Sequence, residues 1–127
     1  MSELFNQIDT NVENDKETLL NVSHTLHDNP EIRYEEVKAA GWLTDVLRER
    51  GFEVQKGYGS LPTAFVATMP GKAEGPNVAV MCEYDALEGL GHACGHNVIA
   101  TMGLGAGLAL APLMYDLPGT LSVLGTP

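Results

Sequence analysis

The spacing of apolar residues predicts two helices in the first fifty residues. One helical face is formed by residues that recur at intervals of four, seven, three and four, namely Ile8, Val12, Leu19, Val22 and Leu26. This pattern predicts one helix that runs to about His27 and is stopped by Asn29 and Pro30. A second helix is indicated by Val37, Ala40, Leu43, Val46 and Leu47. Glu35 and Glu36 are expected in its first turn, Arg48 and Arg50 in its last turn and Gly51 as its C-terminal cap, so its charges complement its dipole.

Short runs typical of β-strands follow, separated by turns rich in glycine and proline. They occupy residues 52–55, 63–68, 77–83 and 121–125. The run at 77–83 is apolar at successive positions, which predicts a central strand. The order helix, helix, strands, helix, strand predicts a layered α/β/α fold with a mixed, mostly parallel sheet.

Residues 98–114 are seventeen uncharged residues, just short of the length of a membrane-spanning helix. Gly103 and Gly107 also have the small-residue spacing found where membrane helices pack. The segment is nevertheless rich in alanine and glycine, is interrupted by Pro112 and has no Lys or Arg nearby to orient it. We therefore expect a buried helix packed on the sheet and no membrane association.

Composition and charge narrow the class of protein. The 127 residues are 44% hydrophobic and 19% charged, as expected of one soluble domain. Seventeen acidic against seven basic residues give a formal charge of −10, which argues against nucleic acid or anionic membranes as partners. The first residues lack the features of a signal peptide and the chain has only two cysteines, so we expect a cytoplasmic protein with free thiols.

The candidate chemistry lies in residues 83–100, EYDALEGLGHACGHNVIA. Glu83 and Asp85 come where the apolar strand ends, the edge at which open α/β sheets place their ligands. His92, Cys94 and His96 then alternate, which in extended backbone would put three donors on one side. Imidazole and thiolate together suit zinc, and the carboxylates extend the choice to manganese or cobalt.

Other interpretations of the same residues stay open at this stage. A single Cys-x-His pair carries little information, and cysteine is often only a packing residue. Cys82, inside the apolar strand, is expected in the core. Cys94 could instead be a nucleophile, but it has a histidine two residues away on each side, and this clustering favours metal chelation.

Three stretches also resemble a known family. CEYDALEGLGHACGHN, at residues 82–97, resembles the metal-binding signature of the amidohydrolase branch of the aminoacylase/carboxypeptidase metallopeptidase superfamily. LHDNPEIRYEE, at 26–36, is similar to the N-terminal Leu-His-x-x-Pro-Glu motif of that branch. LSVLGTP, at 121–127, is similar to the strand that leads into its catalytic Ala-Glu-Glu. The three motifs occur in the order that the family has.

The resemblance implies a role for each matching residue. It makes Cys94 and His96 metal ligands and Asp85 the catalytic carboxylate that supports the site. Glu83 stands where classical relatives have a metal-binding histidine, and His92 is usual in the motif without being a ligand. Asn97 stands where many members have aspartate. The complete site would hold two divalent ions, of zinc, manganese or cobalt.

The resemblance also implies that residues 1–127 are the N-terminal part of a longer enzyme. The family's Glu-Glu pair, which supplies the general base and a further ligand, would come directly after Pro127. We therefore expect a partial catalytic domain of a dinuclear metallohydrolase, without its dimerisation domain and inactive alone. The complete protein would be a homo-oligomer that cleaves N-acyl amino acids or dipeptides. The alternative is a non-catalytic domain that binds metal or associates with another protein.

Overall fold

The structure is a computed structural model that describes all residues from Met1 to Pro127. Its helices and strands follow the predicted order, with the bounds α1 Ser2–Asn14, α2 Lys16–Asp28, α3 Val37–Glu49, β1 Glu53–Lys56, β2 Phe65–Pro70, β3 Asn77–Glu83, α4 His96–Leu110 and β4 Thr120–Thr126. The predicted α/β fold with a mixed sheet is confirmed.

The sheet differs from the prediction in its directions and in its strand order. The order is β1-β2-β4-β3, with β3 parallel to β4 and the other two pairings antiparallel, so the sheet is not mostly parallel. The short connection from β1 to β2 permits only an antiparallel pair, whereas the α4 crossover makes β3 and β4 parallel. β3 is an edge strand and not the predicted central one, with Val78 and Met81 55% and 60% exposed.

The first predicted helix is two helices, because the chain breaks at Asp15. This residue has φ −91° and ψ 1°, which ends α1 and begins α2. Its side chain is buried and accepts a hydrogen bond of 3.0 Å from Arg50 Nη1, just beyond α3. The break coincides with an ion pair between residues 35 positions apart, which apolar spacing does not reveal.

Helix α4 lies between the sheet and the first two helices. One hydrophobic core joins its Leu104 and Leu108 to Leu43 of α3 and to Phe65 and Val123 of the sheet. The window His96–Leu113 is long and apolar enough to cross a membrane, yet 44% of it is buried in this fold. α4 is therefore packed on the sheet, as the composition of the segment predicts.

All four helices lie on the core side of the sheet, and no second helical layer covers the other side. The buried residues of α3 and α4 belong to the same core cluster as the inward-facing strand residues. On the other face Met81 is largely exposed, and Val66 and Leu124 are partly exposed. Within this chain the layers are therefore helices on one face of a sheet whose second face is open.

Candidate metal site

The end of β3 directs two carboxylates to one side. Glu83 is the last residue of the strand, and Asp85 follows two positions later. Tyr84, between them, is fully buried and stacks on Phe65, with 6.0 Å between the ring centroids. Because successive residues of extended chain face opposite ways, burial of Tyr84 turns both acidic side chains outward together.

Both carboxylates contact His96, the first residue of α4. The Nδ1 atom of His96 lies 2.5 Å from Asp85 Oδ1 and 3.1 Å from the Asp85 carbonyl oxygen. Since both oxygens only accept, Nδ1 is the donor and carries a proton. The Nε2 atom lies 3.1 Å from Glu83 Oε2. Nε2 can therefore interact with Glu83 in two ways: an imidazolium ring donates a hydrogen bond to the carboxylate, or Nε2 and the carboxylate bind the same cation.

The loop before α4 brings His96 to the sheet edge. Gly95, at the helix start, has φ +83°, a left-handed conformation that glycine adopts without a steric penalty. The Gly95 N–H donates to the His92 carbonyl at 3.1 Å, so residues 92–95 form a turn. The prediction that His92, Cys94 and His96 alternate along extended backbone is therefore wrong.

His92 lies apart from the carboxylate pair. Its Nδ1 atom is buried and has no hydrogen-bond partner. Burial lowers the pKa of His92, and the nearby His27 and His96 lower it further. These effects outweigh the Asp85 carboxylate, which raises the pKa of His92, and no ion pair joins His92 to a carboxylate.

The two cysteines lie in opposite surroundings. Cys94 is exposed on the loop two residues before His96, whereas Cys82 is buried in the core, as predicted. Burial raises the pKa of the Cys82 thiol to about 12. Only Cys94 is therefore available to a metal ion or a reagent.

The donors near the loop fit a transition metal in kind but not in number. Imidazole, carboxylate and thiol are the ligands that such ions take in proteins. No group of three or more His, Cys, Asp and Glu side chains converges to hold an ion. The structure brings Asp85 and Glu83 to His96, while the ligand roles of Cys94 and His96 stay predictions.

We predict that one thiol reacts quickly in the native chain. At pH 8 a disulfide reagent should modify Cys94 within minutes and leave Cys82 untouched, because the thiolate is the reactive form and Cys82 is both buried and protonated. Mass spectrometry of the labelled peptides measures this. Cys94→Ser should abolish the fast phase, and fast labelling of Cys82 would contradict the described core. Protection of Cys94 by added zinc would support its ligand role.

The chain has curated relatives among hydrolases, although no family model matches it. It is 32% identical over 146 residues to one subunit of the p-aminobenzoyl-glutamate hydrolase of Escherichia coli, a match that covers 100% of this chain and 30% of that protein. It is 43% identical over 119 residues to the Xaa-Arg dipeptidase of Mus musculus, covering 84% of this chain and 27% of the dipeptidase. The chain thus spans less than a third of the length of these relatives.

Solved structures share the fold. The Bacillus subtilis YXEP protein, described as a dinuclear metal binding peptidase from the M20 family, superposes with a TM-score of 0.80 at 27% identity, over 87% of this chain and 34% of its own. An aminobenzoyl-glutamate utilization protein from Klebsiella pneumoniae superposes with a TM-score of 0.78 at 19% identity, over 95% of this chain and 39% of its own, and shows the fold alone. By sequence and by fold the chain is therefore homologous to the hydrolases and peptidases of the M20 family, which confirms the resemblance that its motifs carry to the aminoacylase/carboxypeptidase superfamily.

Proposed function

We propose that the chain supplies part of the metal site of an amide hydrolase. The observation that carries the proposal is His96, held between Asp85 and Glu83 where β3 ends. A histidine whose one ring nitrogen donates to a carboxylate presents the other nitrogen as a ligand of fixed direction. A structural ion pair would not need a second carboxylate 3.1 Å from the opposite ring nitrogen.

Each residue has a distinct part in this proposal. His96 and Cys94 are ligands, and Asp85 holds the Nδ1 proton of His96 and orients the ring. Glu83 adds negative charge beside Nε2, which favours a cation there. The ion would be zinc, manganese or cobalt, with two ions in the complete site. When bound, such ions activate water and polarise the scissile carbonyl.

The proposed substrates are N-acyl amino acids or dipeptides. The names of the relatives specify an aminobenzoyl-glutamate, an Xaa-Arg dipeptide and, at 28% identity in Bacillus subtilis, N-acetyl-L-cysteine. All three are amides in which an amino acid is one partner. We propose that the whole protein is a homo-oligomer and that it works in the cytoplasm, where the exposed Cys94 stays reduced.

The test compares the 127-residue chain with the whole polypeptide that its coding region specifies. Both are assayed on a panel of N-acyl amino acids and dipeptides with zinc, manganese or cobalt. We expect the chain alone to be inactive, because no three of its donor side chains converge so as to hold an ion. We expect metal-dependent hydrolysis by the whole polypeptide. His96→Ala should abolish it, and His24→Ala should leave it intact, because His24 is exposed on α2.

Two results would contradict this function. One is the absence of metal-dependent hydrolysis by the whole polypeptide across the panel. The other is hydrolysis that persists in His96→Ala, since no catalytic site could then depend on that residue. Turnover by the 127-residue chain that disappears in Asp85→Ala would instead show that its own donors complete a site.

Association with another protein surface is the second candidate function. β4 is paired on both sides, whereas α4 packs on the sheet while its Val98 and Met102 remain exposed. β3 is one of the two edge strands of the sheet, the other being β1, and its Val78 and Met81 are exposed; such edges pair with other strands.

Light scattering tests whether this edge mediates association. We expect the chain to exceed the mass of a monomer and Met81→Lys to reduce association, because an edge lysine disfavours strand pairing. A wild type that remains monomeric at high concentration would contradict this candidate.

A further inference from the structure

A buried polar network lies beneath the carboxylate pair, and the metal-site proposal does not use it. The side chain of Glu36, at the start of α3, is fully buried and its Oε2 accepts a hydrogen bond of 2.9 Å from Thr63 Oγ1. The hydroxyl of Tyr84 donates to the Thr63 carbonyl oxygen at 2.5 Å. The network therefore joins α3, the segment before β2 and the end of β3.

The buried position of the Glu36 side chain reduces the stability of the fold. Its Oε1 atom is buried and has no hydrogen-bond partner. An unpartnered buried carboxylate oxygen loses its hydration without replacement, and apolar side chains of similar volume are often as stable in such places. Stability alone therefore does not account for Glu36.

The same segment also holds the chain on the other side of Asp85. The Ala86 N–H donates to the Glu31 carbonyl at 2.7 Å. The Glu31 carboxylate accepts bonds of 3.1 and 2.9 Å from the N–H groups of Lys38 and Ala39, which ties it to the start of α3. Asp85 thus lies between Ala86, which bonds Glu31 directly, and Tyr84, which is connected to Glu36 through Thr63.

We propose that Glu36 is a positioning residue, which acts through Thr63 and Tyr84 to hold Asp85 and Glu83 on His96. The Tyr84 ring is buried and its hydroxyl is held by a hydrogen bond. Because side chains alternate along extended chain, Glu83 and Asp85 must then both point to the opposite side, toward His96. Burial, and after it the Glu36 charge, raises the pKa of Tyr84, so its hydroxyl remains a donor. Only the description of His96 as a ligand rests on the proposed function.

The experiment follows the His96 Nδ1 proton by nitrogen-15 NMR of the metal-free 127-residue chain, which requires neither metal binding nor hydrolysis. Thr63→Val removes the hydroxyl that bonds Glu36 at nearly constant volume. We expect the exchange of the Nδ1 proton with water to become about tenfold faster, as for loss of one buried hydrogen bond. Thr44→Val is the matched control, because Thr44 is also fully buried but its hydroxyl bonds Ala40 within α3.

Conservative variants separate positioning from a general loss of stability. Glu36→Gln and Thr63→Ser keep the hydrogen bond and should retain slow exchange, whereas Glu36→Leu and Tyr84→Phe should not. The proposal is overturned if Thr44→Val speeds exchange as much as Thr63→Val at equal loss of stability, or if Glu36→Leu and Thr63→Val both leave it unchanged. If circular dichroism shows that Glu36→Leu or Thr63→Val does not fold, Tyr84→Phe takes its place, because this substitution removes a single oxygen. Unchanged exchange in Tyr84→Phe would then overturn the proposal.

A cobalt titration of the same variants tests the connection to the proposed function. We expect Thr63→Val to weaken cobalt binding about tenfold and Thr44→Val to leave it unchanged. Faster proton exchange with unchanged cobalt affinity would support the positioning role and contradict His96 as a ligand. Unchanged exchange would overturn the positioning role whatever the cobalt affinity.

Discussion

Replacement of Gly103 by alanine is expected to lower the free energy of unfolding by about 3 kcal/mol, because the added methyl group has no space. An alanine Cβ at this position would collide with the Met81 carbonyl oxygen and lie 2.7 Å from Cys82 Sγ. The carbonyl belongs to the β3 backbone, so α4 or the strand must shift. Either shift separates His96 from Glu83, since these residues lie on the two displaced elements.

Gly41→Ala is the matched control for this prediction. Gly41 lies inside α3, and a Cβ there would meet nothing within 4 Å. Alanine should therefore stabilise the chain by about 0.5 to 1 kcal/mol, from helix propensity and a smaller entropy loss. Urea denaturation measures both variants. Changes of the same sign would contradict the close packing of α4 on β3.

The double variant Cys94→Ser, His96→Ala is expected to reduce affinity for zinc or cobalt by about 100-fold or more. Loss of a partner that only orients a ligand already costs about 10- to 100-fold, so removal of two ligands should cost at least as much. Calorimetric titration measures the affinity. His24→Ala is the control, because His24 lies on the exposed side of α2 and should leave the isotherm unchanged.

The strands could be predicted from the chain because their signals are local. The apolar run at 77–83 matches β3 in both bounds, and a turn rich in glycine and proline at 70–76 marks its start. Its position at the sheet edge could not be predicted, since apolar residues on both faces do not specify which strands lie beside it. The turn at residues 92–95 could not be predicted from the alternation of donors, which suits extended chain equally well, although Gly95 permits a left-handed conformation.

The contacts within the site could not be predicted from local sequence either, because they join residues that are distant along the chain. The contact between Asp85 and His96 could be predicted only from the family motif. The two residues are eleven positions apart, and they come into contact because α4 begins beside the end of β3. Sequence reasoning assigned no contact to Glu83, yet this residue lies beside His96 Nε2. Glu36 was indicated only as part of the N-terminal motif, and its bond to Thr63 spans 27 positions.

Cobalt absorption spectroscopy of the wild-type chain tests the central claim most directly, because it reports which atoms bind the ion. Thiolate ligation by Cys94 produces a near-ultraviolet charge-transfer band, and imidazole and thiolate donors together favour a low coordination number with intense visible bands. We predict that cobalt generates both features, that Cys94→Ser removes the charge-transfer band and that His96→Ala weakens binding. A wild-type spectrum that equals that of Cys94→Ser, His96→Ala would contradict a metal site at this loop.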